Sequence, residues 1–193
     1  MNDEDDEFAA AALPDNWQTQ LLTFWFQDHG EADWFGGGPA FDAAVTERFA
    51  AWREALRSQP IEAFTPGAES ALAAIILFDQ VPRNAFRGTA EAFATDHIAL
   101  GIARRAVELG FDASVTKDQK LFLYLPFEHS ENIDDQRESV RLMSALGDQR
   151  LLQFALDHQS MIERFGRFPH RNKVLGRADR PGEADAVAAG SHW

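Results

Sequence analysis

Apolar side chains recur along this chain at steps of three and four residues, the spacing of one face of an α-helix. Trp17, Leu21, Phe24 and Trp25 open the series after Pro14-Asp15-Asn16, a helix-start signature. Residues 29–39 break the pattern. Gly36-Gly37-Gly38 reads as a flexible turn, because a phosphate loop needs a preceding strand and a following Lys-Ser/Thr. Phe41, Val45, Phe49, Trp52 and Leu56 give the clearest amphipathic helix, ended by Gln59-Pro60. Thr65-Pro66-Gly67 opens another, with Leu72, Ile75 and Ile76 inward and Pro82 expected to stop it. A long helix is predicted from Thr89 to Leu109, closed by Gly110 as a left-handed cap. Thr116-Lys117-Asp118-Gln119 forms a capping box before Leu121-Phe122-Leu123-Tyr124-Leu125, and Pro126 is expected to end that helix. Asp134 to Leu146, followed by Gly147, gives one more. Leu151, Phe154, Ala155, His158, Ile162 and Phe165 share a face of the next, capped by Gly166.

About seven helices with short Pro/Gly links and no alternating strand predict an all-α fold of stacked antiparallel hairpins. The expected organisation is an acidic N-terminal tail over residues 1–12, one helical domain over 13–177, and a polar, alanine-rich tail over 178–193.

Composition narrows the function classes. There is no cysteine, which excludes disulfides, thiolate nucleophiles and cysteine-held metals and fits a reducing compartment. A formal charge of −13 argues against nucleic acid as the main partner. No apolar run reaches the ~18–20 residues of a membrane span, and the acidic start is the opposite of a signal peptide's, so a soluble, cytoplasmic protein is expected. Charge is also unevenly spread. Residues 3–7 are Asp-Glu-Asp-Asp-Glu, whereas Arg164, Arg167, Arg171, Lys173, Arg177 and Arg180 crowd one late segment, as a small-anion site requires.

Polar groups stand where apolar ones belong. Asp79 lies four residues after Ile75 and three after Ile76, on an apolar helix face, so it must be paired or protonated. Arg83 is its expected partner and Arg87 the next candidate; an architectural ion pair is the competing reading. Asp96 repeats the theme as a cap or a loop contact. Phe127-Glu128-His129-Ser130-Glu131 sets an imidazole between two carboxylates, as general-base catalysis needs, or else forms a linking turn. His158 sits on an apolar face, where a core histidine is the ordinary finding. Gly166-Arg167-Phe168-Pro169-His170-Arg171-Asn172 gathers donors able to grip a carboxylate or phosphate, unless it is a solvated basic loop.

Taken in order, these segments resemble a known family. Phe24-Trp25-Phe26, Trp34-Phe35, Phe78-Asp79-Gln80-Val81-Pro82-Arg83-Asn84 with Arg87, Ala92-Phe93 with Asp96, and Leu125-Pro126-Phe127-Glu128-His129-Ser130-Glu131 with Gln136 carry the likeness. So do His158, Arg164-Phe165-Gly166-Arg167-Phe168-Pro169-His170-Arg171-Asn172 and Leu175-Gly176-Arg177. Together they resemble the DUF924 family of mostly bacterial, uncharacterised proteins. The resemblance implies a helical fold like the tetratricopeptide-repeat superhelix and no established reaction. Two departures stand out: Val81 replaces a usual Phe, and Ala178-Asp179-Arg180-Pro181-Gly182 replaces a usual Ser-Thr pair.

The expected site is a pocket for a small anionic molecule, with Arg83, Asn84, Arg87, Arg164, Arg167, Arg171 and Asn172 as ligand-binding candidates. His129, His158 or His170 would move a proton, oriented by Glu128, Glu131 or Asp79, as in a hydrolase or lyase. The alternatives are a tetratricopeptide-like module that binds a peptide or protein partner, and a buried polar network without a ligand. No two histidines have HxxxH spacing on one helix, so no metal site is assigned and no cofactor is named.

Overall fold

Every apolar stripe read above has to find a neighbour, and a run apolar on all sides has to lie at the centre. The segment from Ala71 to Phe78 is such a run, and each of its side chains is buried. It runs through α4 (Ala68–Ile75) into the turn after it, and the helices Trp17–Thr23, Asp96–Glu108 and Lys117–Glu128 pack around α4 in the computed structural model, which describes residues 13–190. The expected acidic tail over 1–12 lies outside the described residues, as does the end of the expected tail over 178–193, from 191 onward.

α1 (Trp17–Thr23) runs into a wide π-turn, Phe24–Asp28, and buries Trp17, Leu21, Phe24 and Trp25 as its spacing predicts. A short α2 (Glu31–Gly36) occupies the stretch where the pattern breaks. α3 (Pro39–Leu56) buries Phe41, Val45, Phe49 and Trp52; the Phe41 and Phe49 rings meet Phe24, and Phe41 also meets Trp25. It also buries a charge with no warning in the periodicity. Arg53 is fully covered, bonded to Glu91 at 2.7 Å and Thr95 at 3.2 Å, and locks α3 to the segment before α6.

Pro82 does not stop its helix. The chain passes from α4 through a second π-turn, Ile76–Gln80, into α5 (Val81–Ala85), with Pro82 in the first turn of α5. A proline lacks the N–H that a first helical turn leaves unused, so the position is tolerated. The long helix expected from Thr89 is split into a 3₁₀ turn, Ala90–Phe93, and α6 (Asp96–Glu108), because the Thr95 hydroxyl is drawn off to donate to the Phe78 carbonyl at 2.7 Å. Gly110 is left-handed, at φ 70°, as predicted.

α7 (Lys117–Glu128) starts at the expected capping box and runs past Pro126. Its end is held by one side chain: the Gln136 amide donates to the carbonyls of Phe127, Glu128 and Ser130. α8 (Ile133–Ala145) and α9 (Gln149–Phe165) follow, with Asn132 and Asp148 as caps and Gly166 left-handed at φ 69°. After Gly176 the chain is packed down: α10 (Glu183–Ala188) buries Glu183 and Ala186. No strand occurs among the described residues, and no helix of theirs is long and apolar enough to cross a membrane.

Candidate functional site

α7 and α9 run side by side in the same direction. Lys117 meets Asp148 at 3.0 Å where the two helices start, and Glu128 lies 3.6 Å from His158 further along. Between them, α5 and α2, a cleft of about 420 Å³ opens. α4–α5 contributes Gln80, Arg83, Asn84 and Arg87, and α7 contributes Leu121, Leu125, Glu128 and His129. Across from them stand Trp34 and Phe35 of α2 and Leu151, Phe154 and His158 of α9.

The polar end is organised by Asp79. Its Oδ1 lies 2.7 Å from His129 Nδ1 and 3.1 Å from Arg83 Nη1, and its Oδ2 accepts from Gln80 at 2.6 Å. Burial alone would raise the Asp79 carboxyl; the Arg83 guanidinium and His129 outweigh it and hold it below the usual carboxylate range. An ionised Asp79 fixes the proton of His129 on Nδ1 and leaves Nε2 as the basic nitrogen. Burial, and then Arg83, lower His129, so its ring is neutral near pH 7 and able to accept a proton. Arg83 is itself held in a fork by Asp96, at 2.8 and 3.0 Å.

Glu128 behaves in the opposite way. It is buried, and burial followed by the Asp79 charge pushes its carboxyl up to about 8, so near neutrality it is an acid with a proton to give. His158 donates from Nδ1 to the Phe154 carbonyl at 2.9 Å, and burial drives it down to about 3. Glu128, His129 and His158 thus present one protonated carboxyl and two neutral imidazoles to one space.

The Arg-rich segment goes elsewhere. Arg167 is clasped by Glu183 at 2.9 and 2.7 Å, and Asn172 donates to Glu183 and Asp179. Glu131 accepts from Arg177, at 2.7 and 3.0 Å, and from the Phe168 backbone. Arg164 stacks on Phe165, and Arg87 pairs with Asp42 rather than Asp79. Arg171 lies between the Phe93 and Phe168 rings, donates to the His129 carbonyl at 3.0 Å, and lines a second, more open cleft of about 380 Å³ with Asp96, Glu131 and the far side of His129. His170 lines neither cleft; burial and Arg171 lower it to about 4.

Of the sequence-predicted residues, the first cleft therefore collects Arg83, Asn84, Arg87, Glu128, His129 and His158, with Asp79 beneath them. Arg164, Arg167, His170 and Asn172 lie outside it, and Glu131 and Arg171 line the second cleft. Sequence reasoning missed Gln80, although it stands beside Asp79, and Arg150, which pairs with Glu31 across the cleft mouth at 2.5 Å and has no local signal. Among the described residues, no three His, Asp or Glu side chains are placed to hold a metal ion.

The comparisons with known proteins agree with this fold. No curated protein matches the chain. A solved structure of a protein of unknown function from Agrobacterium tumefaciens is 39% identical and superposes with a TM-score of 0.84, over 90% of this chain and 97% of that one. The sequence also matches, over residues 21–191, the family described as bacterial protein of unknown function (DUF924), and the chain belongs to that family.

Proposed function

We propose that the α7–α9 cleft binds a small anionic metabolite and acts on it as a hydrolase or lyase by acid–base catalysis. The observation that supports this is the charge of the lining. Arg83, Arg87 and Arg150 face the cleft, and the carboxyl among the lining groups, Glu128, is kept protonated. Arg83 is held by Asp79 and Asp96, whereas Arg87 and Arg150 pair with Asp42 and Glu31 at the exposed rim, where a carboxylate partner can be exchanged for an anionic ligand. Arg87, exposed and held by the surface residue Asp42, exchanges that partner for the ligand. His129, oriented by Asp79, takes the substrate proton at Nε2, and Glu128 returns one to the leaving group.

A peptide-binding role on a tetratricopeptide-like scaffold would need Arg83, Asn84 and Arg171 along one groove. Arg83 and Asn84 line the first cleft and Arg171 the second, which supports a metabolite over a peptide.

The test is a panel of carboxylated and phosphorylated esters and hydroxy acids assayed for turnover against pH. Turnover should appear as pH rises through the lowered His129 value and disappear above about 8, where Glu128 loses its proton. His129→Ala should abolish it while leaving ligand binding measurable. A flat pH profile, or full activity in His129→Ala, overturns the assignment.

A further inference from the structure

We infer that the ligand of this cleft is an amphipathic organic monoacid: a single carboxylate carried on an aromatic or aliphatic body. This rests on the anion-binding reading above and adds its substrate class.

The two long walls change character in the same direction. On α7 the cleft stripe runs Leu121, Leu125, Glu128; on α9 it runs Leu151, Phe154, His158. Because the helices are parallel, as the contacts at their starts and at Glu128–His158 establish, the apolar ends lie together and so do the polar ends. Seven residues of helical rise set the apolar-to-polar span at ~10 Å, the length of an eight-carbon chain or of a phenyl ring with a short linker. The apolar end is also uncovered. Phe35 is 54% exposed and Phe154 41%, two of the few large apolar side chains left open among the described residues, and both face this space. Aromatic faces lining a concave wall are ordinarily covered by a ligand's apolar part.

The head is specified from the other side. A protonated Glu128 donates, so it asks for an acceptor oxygen, and Arg87 supplies the charge. Glu128 and His129 stand at the C-terminal end of α7, where the helix dipole is negative. That end repels a phosphate dianion about twice as strongly as a carboxylate, whose single charge the Arg87 guanidinium and the Glu128 proton can hold.

Isothermal titration of the full chain with octanoate, 3-phenylpropanoate, acetate, inorganic phosphate and octan-1-ol tests this. The first two should bind roughly tenfold or more tighter than the other three, since each buried methylene adds to affinity. Phe154→Ala should weaken octanoate about tenfold and leave the melting temperature unchanged, because the ring is exposed. Acetate or phosphate binding as well as octanoate would overturn the amphipathic class and leave the anion site standing. Octan-1-ol binding as well as octanoate would remove the anion site itself. Absence of any binding would overturn both. Octanoate binding untouched by Phe154→Ala would show that the body lies elsewhere.

Discussion

Two charged regions of this molecule look alike in sequence and behave differently in space. Around Arg167, Asn172 and Arg177, each donor meets an acceptor brought by another segment: Glu183 from α10 and Glu131 from the α7–α8 turn. The region closes on itself and ties the C-terminal segment to the helix pair. Around His129, by contrast, Asp79 satisfies one ring nitrogen and leaves the other, while Glu128 holds a proton with 420 Å³ of open space before it. Density of charge thus says little about function. What separates a clasp from a site is whether the last valence is spent on the protein.

The contrast can be broken most forcefully at Asp79. Asp79→Ala strips the buried Arg83 of one of its two carboxylates and frees His129, and should cost ~3–5 kcal/mol in urea unfolding together with all turnover. A loss below ~1 kcal/mol would mean that the buried cluster is not coupled. Next, Glu131→Ala leaves Arg177 and the Phe168 N–H without their acceptor; ~2–3 kcal/mol of stability should go, while octanoate binding in the first cleft stays as it was. Weakened binding there would merge the two regions.

A third test uses pH. The folded Glu128 carboxyl, near 8, lies above its unfolded value near 4.5, so between these values the folded state holds a proton that the unfolded chain has shed, and stability falls as pH rises. His158 and His170 are lowered from 6.5, so their contribution grows as pH rises toward 6.5 and is complete above it. From pH 6.5 to 8 Glu128 therefore dominates, and roughly 2 kcal/mol should be lost in the wild type and retained in Glu128→Gln, read from thermal melts across that window. The smallest effect is Arg87→Ala, which should change stability by less than ~0.5 kcal/mol because the side chain is exposed, yet weaken binding of the acid ligand.

How far the sequence carries this picture depends on whether a partner is local. Asp79 was legible because it breaks a helical stripe, and Arg83, four residues on, answers it. The all-helical class and the glycine caps at Gly110 and Gly166 were legible for the same reason, whereas the short α2, α5 and α10 were not. The fate of the Arg-rich segment was not: Arg177 is neutralised by a carboxylate 46 residues earlier, and no window of sequence shows that pairing. Phe154 misleads in another way. It shares a helical face with Leu151 and Ala155, but that face meets a cleft at one turn and the core at the next, and periodicity treats the two alike. Pro126 was read as a terminus because Gln136, which secures the helix beyond it, comes from the following helix.

The π-turn at Ile76–Gln80 has a consequence for how such a protein can change over time. A π-turn holds one residue more than regular winding, and each residue advances a helix by ~100°, so Gln80, Arg83 and Asn84 line the cleft by virtue of a single inserted position. Loss of one codon there would rotate the whole rim of the cleft into its neighbours without touching any of the reactive groups. Single substitutions on that rim leave its placement intact, whereas a change in the number of residues between Ile76 and Gln80 moves all of it.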